Sequence, residues 1–264
     1  MQAGAAMRAL VTGAARRLGR AMALHLAGRG YDVAVHYAHS AAEAAATVAD
    51  IRKLGRRAES LHADLLDEAQ VVPLVAQAAK VLGGPLTLLV NNASTFDYDN
   101  IASASRESWD RNIGSNLRAP FVLTQHFAAQ APGPVADARG EPVAQALVVN
   151  MIDQRVWKLT PEFMTYTLAK SALWTLTRTA AQGLAPRVRV NGIGPGPTLQ
   201  GARQSDSHFA RQRAATVLER GSNPEDICAA LSYLIDARAV TGQMIAADGG
   251  QHLAWQTRDV LGVE

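Results

Sequence analysis

The sequence predicts a single α/β domain of the Rossmann type, in which a doubly wound parallel sheet lies between two layers of helices. Strand-like and helix-like runs alternate along most of the 264 residues, as a parallel sheet with crossover helices requires. The run at residues 86–90 is almost continuously apolar, which is typical of a strand buried on both faces. A Thr-Gly turn separates the first strand from the first helix, and ligands bind at such carboxyl ends of parallel strands.

Seven strands are predicted from short apolar runs between turn residues. They span residues 8–11, 32–36, 57–62, 86–90, 146–150, 188–190 and 243–246. One domain is expected to cover residues 1–264, with a substrate loop at about 197–213.

Helices are predicted between these strands. They span residues 18–27, 41–54, 68–82, 109–130, 163–184, 207–220 and 225–235. The first helix is expected to end before Gly28, and the Ala-rich second helix before Gly55, because glycine commonly closes a helix. Pro73 is tolerated near the start of the third. Residues 132–142 and 192–201 are rich in proline and glycine, so loops are expected there.

The composition excludes several classes of function. Hydrophobic residues make up 48% of the chain, which argues against disorder. A formal net charge of +3 is too small to imply a nucleic-acid or membrane-surface partner. Cys228 is the only cysteine, so no intramolecular disulfide is expected. No apolar run approaches the ~20 residues of a membrane span, and six residues before the first strand are too few for a signal peptide. A cytoplasmic protein without a metal site is therefore expected.

Three polar residues in the second half suit proton transfer. Tyr166 and Lys170 are four residues apart and share one face of a helix. An ammonium beside a phenol lowers the phenol pKa from about 10, and such a tyrosine can exchange a proton while a hydride moves. Asp153 ends a strand-like run and can face the same spot. On its own, the Tyr-x-x-x-Lys pair is equally compatible with an ordinary helix surface.

The turn after the first strand fits a dinucleotide. Small residues there let the backbone approach a pyrophosphate, which the helix N-terminus attracts. The turn is Thr12-Gly13-Ala14-Ala15-Arg16-Arg17-Leu18-Gly19. The alternative is a tight turn that binds no ligand. After the third strand, Asp64 and Leu65 suit an adenine contact, and Asn92 and Ala93 after the fourth suit the cofactor ribose.

The end of the second strand favours NADP over NAD. An Asp or Glu there would bind the ribose 2′-hydroxyl of NAD. The segment has no acid and offers donors instead, namely His36, Tyr37, His39 and Ser40. Arg16 can reach the same region from the glycine turn. The alternative is that the histidines are merely exposed.

Together these residues resemble the short-chain dehydrogenase/reductase family over nearly the whole chain. The matching positions are Thr12-Gly13 through Gly19, Asp64, Asn92-Ala93, Asn116, Tyr166, Lys170, Pro195-Gly196 and Asp248-Gly249-Gly250. The resemblance implies that Tyr166 is the proton donor, that Lys170 holds the nicotinamide ribose, and that Asn116 supports a water relay to the lysine. Leu18, Ser94 and Thr198 are also expected at the cofactor.

Two departures from the family pattern resemble its pteridine reductase subgroup. Arg17 replaces the middle glycine of the turn, and Asp153 replaces the usual catalytic serine. The segment Asn92-Ala93-Ser94-Thr95-Phe96 is also similar to that subgroup, in which the aromatic ring sandwiches the pterin against the nicotinamide. An arginine is more usual where His39 stands.

The resemblance implies an NADPH-dependent reduction of dihydropterin to tetrahydropterin. Tyr166 with Lys170 would serve one protonation, and Asp153 the other. The expected substrate contacts are Arg17, Ser94, Phe96, Asp153, Tyr166 and Leu199. A homotetramer is expected, because members of the family commonly pair two long helices from each of two subunits.

Three alternatives remain open. A ketone reductase of the same family is disfavoured by Asp153, since a serine hydroxyl normally binds the carbonyl oxygen. An enoyl reductase usually places its lysine further from the tyrosine. A nucleotide-sensing protein without activity is compatible with the fold, although the set of Asn116, Tyr166 and Lys170 argues against it.

Overall fold

A computed structural model describes residues 7–201 and 204–256 of the chain. Its strands, in chain order, are β1 Arg8–Val11, β2 Asp32–Tyr37, β3 Ala58–His62, β4 Leu88–Asn91, β5 Val135–Ala136, β6 Pro142–Val143, β7 Ala146–Met151, β8 Val188–Pro195 and β9 Met244–Ala247. Seven of them form one sheet in the order β3-β2-β1-β4-β7-β8-β9. Every neighbouring pair is parallel, which confirms the predicted Rossmann-type fold.

Helices within the described residues connect these strands and cover both faces of the sheet. They are α1 Arg17–Gly28, α2 Ala41–Lys53, α3 Glu68–Val71, α4 Leu74–Leu82, α5 Arg106–Ile113, α6 Ala119–Gln130, α7 Met164–Leu184, α8 Asp206–Ala214 and α9 Pro224–Asp236. Short 3-10 turns occur at Gln154–Val156 and Gln251–Leu253. In residues 7–201 and 204–256, no helix is long and apolar enough to cross a membrane.

Five segments differ from the sequence prediction. The helix expected at 207–220 ends at Ala214, and turns and bends follow it. The helix expected at 68–82 is divided into α3 and α4 at Pro73, which has no N–H to continue the hydrogen bonds. The helix expected at 109–130 begins at Arg106 and contains a π-helical turn, Gly114–Arg118. β8 continues to Pro195, into the expected loop. The other expected loop contains the antiparallel hairpin β5–β6, whose residues 133–142 are exposed.

The core lies in two layers because the central strands are buried on both faces. Ala9 and Val11 of β1 pack into one hydrophobic cluster with α1 and α9, whereas Leu10 packs into the other with α4 and α6. This alternation follows from the period of two along a strand. The side chains of the central strands therefore fix the sheet between its two helical layers.

The sheet topology also places the site. The chain crosses from β3 at one edge to β4, on the other side of β1, so the connections from the carboxyl ends of β1 and β4 diverge. A crevice opens at such a switch point and is the usual ligand site of open α/β sheets. Thr12 and Asn92 follow directly on these two strands.

Candidate active site

The glycine turn is fixed to the end of β4 by Thr12. The Thr12 hydroxyl accepts hydrogen bonds of 2.9 Å from the backbone N–H groups of Asn92 and Ala93. In return, the Asn92 side chain donates to the Thr12 carbonyl at 2.8 Å. The turn is tight: a Cβ at Gly19 would lie 2.1 Å from the Gly13 oxygen.

The N-terminus of α1 has the charge environment that a pyrophosphate needs. No acidic residue lies in its first turn, and Arg16 and Arg17 are both exposed beside it. Unpaired backbone N–H groups and the helix dipole attract anions at such an end. The residues present therefore fit the phosphates of a dinucleotide.

His36 does not lie where it was predicted. Its side chain is only 1% exposed. Nδ1 accepts from the Gly13 N–H at 3.0 Å, and Nε2 lies 3.0 Å from the Ala63 carbonyl, to which it donates. Burial lowers the pKa of His36 to about 4, so the imidazole is neutral. The prediction that it binds a 2′-phosphate is wrong, because both ring nitrogens are engaged in holding the glycine turn.

Arg16 and His39 remain at the predicted 2′-phosphate position. Both are exposed, and Ser40 beside them is half-buried. The Arg16 guanidinium reaches the first turn of α2, where it lies 3.9 Å from Glu43. This region therefore includes one carboxylate that was not foreseen. Tyr37 is half-buried, with its ring edge-on to His62 at 5.5 Å.

The remaining cofactor candidates lie at the ends of β3 and β8. Asp64 and Leu65 are half-buried, and the Asp64 carboxylate accepts from the Leu66 N–H at 2.9 Å. Thr198, just after Pro195 and Gly196, is 6% exposed, and its hydroxyl contacts the Gly196 carbonyl and the Ser222 hydroxyl.

Asp153, Tyr166 and Lys170 come together at the carboxyl end of β7. The Tyr166 hydroxyl donates to Asp153 Oδ2 at 2.8 Å. Asp153 Oδ1 accepts from the Arg155 N–H at 2.8 Å, which fixes the carboxylate as the cap of a short 3-10 turn. One turn after Tyr166 on α7, Lys170 donates to the Met151 carbonyl at 2.7 Å. The lysine nitrogen lies 5.6 Å from the centre of the Tyr166 ring.

The pKa of Tyr166 is opposite in direction to the prediction. Burial raises it well above 10, and the charge and hydrogen bond of Asp153 raise it further. Burial likewise lowers the pKa of Lys170 to about 8 and raises the pKa of Asp153. In this structure Tyr166 is therefore a protonated phenol, in the form of a proton donor.

Asn116 belongs to the π-helical turn and is fully buried. Its Oδ1 accepts from the Ser94 hydroxyl at 2.6 Å, and its amide donates to the Thr95 carbonyl at 3.1 Å. Asn116 thus fixes the segment after β4, whereas Lys170 bonds to Met151. The relay predicted between these two residues is not a direct contact.

Phe96 lies beside Tyr166. Its ring is 44% exposed and stands edge-on to Tyr166, with the ring centres 4.7 Å apart. It also stacks on Phe163 at 4.1 Å, with 5° between the planes. The Arg155 guanidinium lies 5.1 Å from the centre of the Phe163 ring. Neither Phe163 nor Arg155 was predicted from the sequence. The position of Phe163, one helical turn before Tyr166, is the signal that would have identified it.

Arg17 joins the glycine turn to the substrate loop. Its backbone is left-handed, with φ +54°, a conformation that favours the glycine usual here in the resembled family. The guanidinium donates to the carbonyls of Gln200 at 2.9 Å and Leu199 at 3.2 Å. Leu199 is held through its backbone, and its side chain is half-buried. Within the predicted loop at 197–213, residues 202 and 203 lie outside the described residues.

Comparison with known proteins identifies the family. Residues 13–252 match a family model described as Enoyl-(Acyl carrier protein) reductase. Short-chain dehydrogenase/reductase eriH from Hericium erinaceus is 31% identical over 92% of this chain and 96% of that protein. Pteridine reductase 1 from Leishmania tarentolae is 31% identical over 93% of this chain and 96% of that protein. The chain belongs to the short-chain dehydrogenase/reductase family and is an oxidoreductase.

A solved structure is more similar still. FolM alternative dihydrofolate reductase 1 from Brucella suis, crystallised in complex with NADP, is 45% identical. The two structures superpose with a TM-score of 0.88 over 96% of this chain and 98% of that one.

The neutral His36 gives stability a defined dependence on pH. The pKa of this histidine is about 4 in the folded protein, against 6.5 for a free imidazole. Its contribution is complete above pH 6.5 and is lost as the pH falls towards 4, because the unfolded chain takes up the proton first. The shift corresponds to about 3 kcal/mol of unfolding free energy.

Urea unfolding of the wild type and His36→Asn between pH 4.5 and 7.5 tests this expectation. Asparagine does not titrate, and its oxygen can accept from the Gly13 N–H. The stability advantage of the wild type should shrink by about 2–3 kcal/mol across this range. An advantage independent of pH would contradict a buried neutral imidazole.

Proposed function

We propose that this chain is an NADPH-dependent reductase that converts a dihydropterin to a tetrahydropterin. The observation that carries the proposal is the 2.8 Å hydrogen bond from Tyr166 to Asp153, with the Phe96 ring against the same tyrosine. An acid thus occupies the position of the usual family serine, beside an aromatic surface suited to a flat heterocycle.

The comparisons support the cofactor and favour the substrate class. The NADP(H) prediction is confirmed, because similar members of the family were crystallised with NADP. Two of the similar proteins bear the names pteridine reductase and alternative dihydrofolate reductase. Gly13, Gly19 and the N-terminus of α1 would hold the cofactor phosphates, and Lys170 the nicotinamide ribose. When bound, NADPH supplies the hydride.

The substrate would lie against Phe96. Offset stacking of a flat ring on an aromatic face adds about 0.5–1.5 kcal/mol to simple burial. Ser94 and Arg17 are exposed at this site and supply polar contacts to the edge of the pterin. The Leu199 side chain belongs to the loop that borders the site.

The acid groups would complete the reduction. Reduction of a C=N bond requires a hydride on carbon and a proton on nitrogen. Tyr166 is protonated in the folded protein, and the Lys170 ammonium stabilises the phenolate that remains after donation. We assign this protonation of the nitrogen to the pair. Asp153, which binds the Tyr166 hydroxyl and whose pKa is raised by burial, would return a proton from water to the Tyr166 phenolate after the reaction.

The ketone reductase remains the main rival. In that reaction the residue at position 153 donates a hydrogen bond to the carbonyl oxygen. Asp153 instead accepts from both Tyr166 and the Arg155 N–H, so an ionised carboxylate there would repel that oxygen. A nucleotide-sensing protein would have no need of a buried acid system.

A substrate panel tests the proposal. NADPH oxidation is measured with dihydrobiopterin, dihydromonapterin and several simple ketones, for the wild type and Asp153→Ser. The wild type should reduce a pterin, whereas the serine variant should lose pterin reduction and gain ketone reduction. If the wild type reduces a ketone and neither pterin, the pterin assignment is wrong and the ketone reductase takes its place.

Tyr166→Phe should slow catalysis without weakening cofactor binding. The change removes the proton and keeps the ring, so kcat should fall by roughly 100- to 10,000-fold, while the Kd of NADPH stays within about twofold. Steady-state kinetics and fluorescence titration measure the two quantities. Tyr98→Phe is the matched control, since Tyr98 is half exposed and contacts Phe163 through its ring. An unchanged kcat in Tyr166→Phe would exclude it as the proton donor.

Arg16→Ala should reduce the preference for NADPH over NADH. A charge-assisted hydrogen bond contributes roughly 1.5–3 kcal/mol, so the Kd of NADPH should rise by about tenfold or more. The Kd of NADH should change little. Arg20→Ala is the control, because Arg20 lies in the first turn of α1 and is paired with Asp50 at 2.6 Å. An equal loss of affinity for both cofactors would contradict a 2′-phosphate contact.

We also propose a homotetramer in which α6 and α7 pair with those of a second subunit. Leu168 on α7 is 45% exposed and would be covered there. Light scattering at micromolar concentration should give about four times 28.0 kDa. A mass of one chain would reject this assembly.

A further inference from the structure

The helix that carries Tyr166 and Lys170 is not capped by its own sequence. The residue before α7 is Phe163, which has no polar side chain and adopts a left-handed φ of +56°. Some other helices are capped locally, as Ser105 caps α5 and Ser205 caps α8. The first backbone N–H groups of a helix need an acceptor from somewhere. In α7 that acceptor comes from a distant part of the chain.

Asp99 supplies this cap from 66 residues upstream. Its Oδ1 accepts from the Thr165 N–H at 3.1 Å, and its Oδ2 accepts from the Thr165 hydroxyl at 2.5 Å. The Asp99 backbone carbonyl accepts from the Met164 N–H at 3.3 Å. Asp99 is only 1% exposed, so these bonds replace the water that the carboxylate loses.

The buried carboxylate keeps its charge. Burial by itself would raise the pKa of Asp99, but hydrogen bonds from Thr165 and Ser108 hold it below its ordinary value. A negative charge at the N-terminus of a helix is favoured by the helix dipole. The N-terminus of α7 and the segment that contains Asp99 therefore stabilise each other.

The segment of residues 94–99, which ends at Asp99, is also fixed at its other end. The Thr95 hydroxyl donates to Asn112 at 3.1 Å, and the Ser94 hydroxyl donates to Asn116 at 2.6 Å. Asn112 closes the network by donating to the Thr165 hydroxyl at 2.9 Å. Asn112, Asn116 and Thr165 are each at most 1% exposed. Residues 94–99 are thus anchored on both sides of Phe96.

We propose that Asp99 is a positioning residue, which holds the Phe96 ring and the Tyr166 hydroxyl at a fixed separation for the reaction. The two groups come from segments about 70 residues apart in sequence. Alongside the ring contacts to Phe163, the Asp99 carboxylate joins the Phe96 segment to the start of α7 by hydrogen bonds. Phe96 lies three residues before Asp99, and Tyr166 directly follows Thr165. The assignment of Phe96 to the substrate rests on the proposed pterin reduction.

This role is tested with the variants Asp99→Ala and Asp99→Asn and with the control Asp67→Ala. Asp67 caps α3 by accepting from the Ala69 N–H at 3.0 Å, and it serves a helix that carries no catalytic group. Thermal midpoints, kcat, KM and the Kd of NADPH are measured, with kinetics at least 20 °C below each midpoint. The substrate is whichever compound of the panel the wild type reduces best.

Asp99→Ala should lower kcat/KM by about tenfold or more, with the Kd of NADPH within about twofold of the wild type. Asp99→Asn should recover most of the loss, since its oxygen still accepts from the Thr165 N–H. Asp67→Ala should lower the midpoint and leave kcat/KM unchanged. Should Asp99→Ala fail to fold, Asp99→Asn and Thr165→Val carry the test, and Thr165→Val should lower kcat/KM several-fold.

Wild-type kinetics in folded Asp99→Ala, together with a lower midpoint, would overturn the proposal and leave Asp99 as a structural cap. So would an equal loss of kcat/KM in Asp67→Ala. The two proposals fail separately: reduction of a ketone alone by the wild type rejects pterin reduction. A fall in ketone kcat in Asp99→Ala would still show that Asp99 positions Tyr166.

Discussion

The hydrogen bonds between Thr12 and the backbone of Asn92 and Ala93 are the constraint on which the site depends. They join the ends of β1 and β4, the two neighbouring strands from which the chain departs in opposite directions. On one side of this contact the glycine turn leads into α1 and to Arg17. On the other, the chain continues to Ser94, Phe96 and Asp99. The residues that we propose for cofactor and substrate binding are thus fixed relative to each other through a few bonds between backbone and hydroxyl.

Burial determines the electrostatics of Asp153, Tyr166 and Lys170. Tyr166 and Lys170 are 5% and 2% exposed, and each is displaced towards its neutral form. A carboxylate, a phenol and an ammonium group are therefore held together without a fully solvated charge. Such an arrangement is costly to fold and useful for proton transfer, because small changes in the surroundings then move a proton between the groups.

The sequence was sufficient for the fold and for the centre of the site. Alternating runs imply a parallel sheet, and the spacing of Tyr166 and Lys170 places them on one helical face. The burial of the His36 side chain could not be predicted in this way. β2 is buried on both faces as far as His36, and the imidazole contacts the Gly13 N–H and the Ala63 carbonyl, which lie 23 and 27 residues away in sequence.

Contacts between distant segments also could not be predicted from the sequence. The bonds of Arg17 to the substrate loop span 182 and 183 residues, and the cap from Asp99 spans 66. No local pattern indicates such pairs. The predicted direction of the pKa shift of Tyr166 was wrong for a related reason. The sequence shows that a lysine is near, but only the packing shows that burial and Asp153 outweigh it.

The hairpin β5–β6 is a site at which another group can be attached to the protein without disturbing its chemistry. It lies between the end of α6 and the start of β7, at the amino ends of the strands, whereas Asp153 follows the carboxyl end of β7. The length of β7 separates the two. A fused domain, a fluorescent label or an attachment to a solid support placed at this exposed turn leaves the mouth of the crevice open. For an immobilised biocatalyst, the hairpin is therefore the point of attachment that the architecture favours.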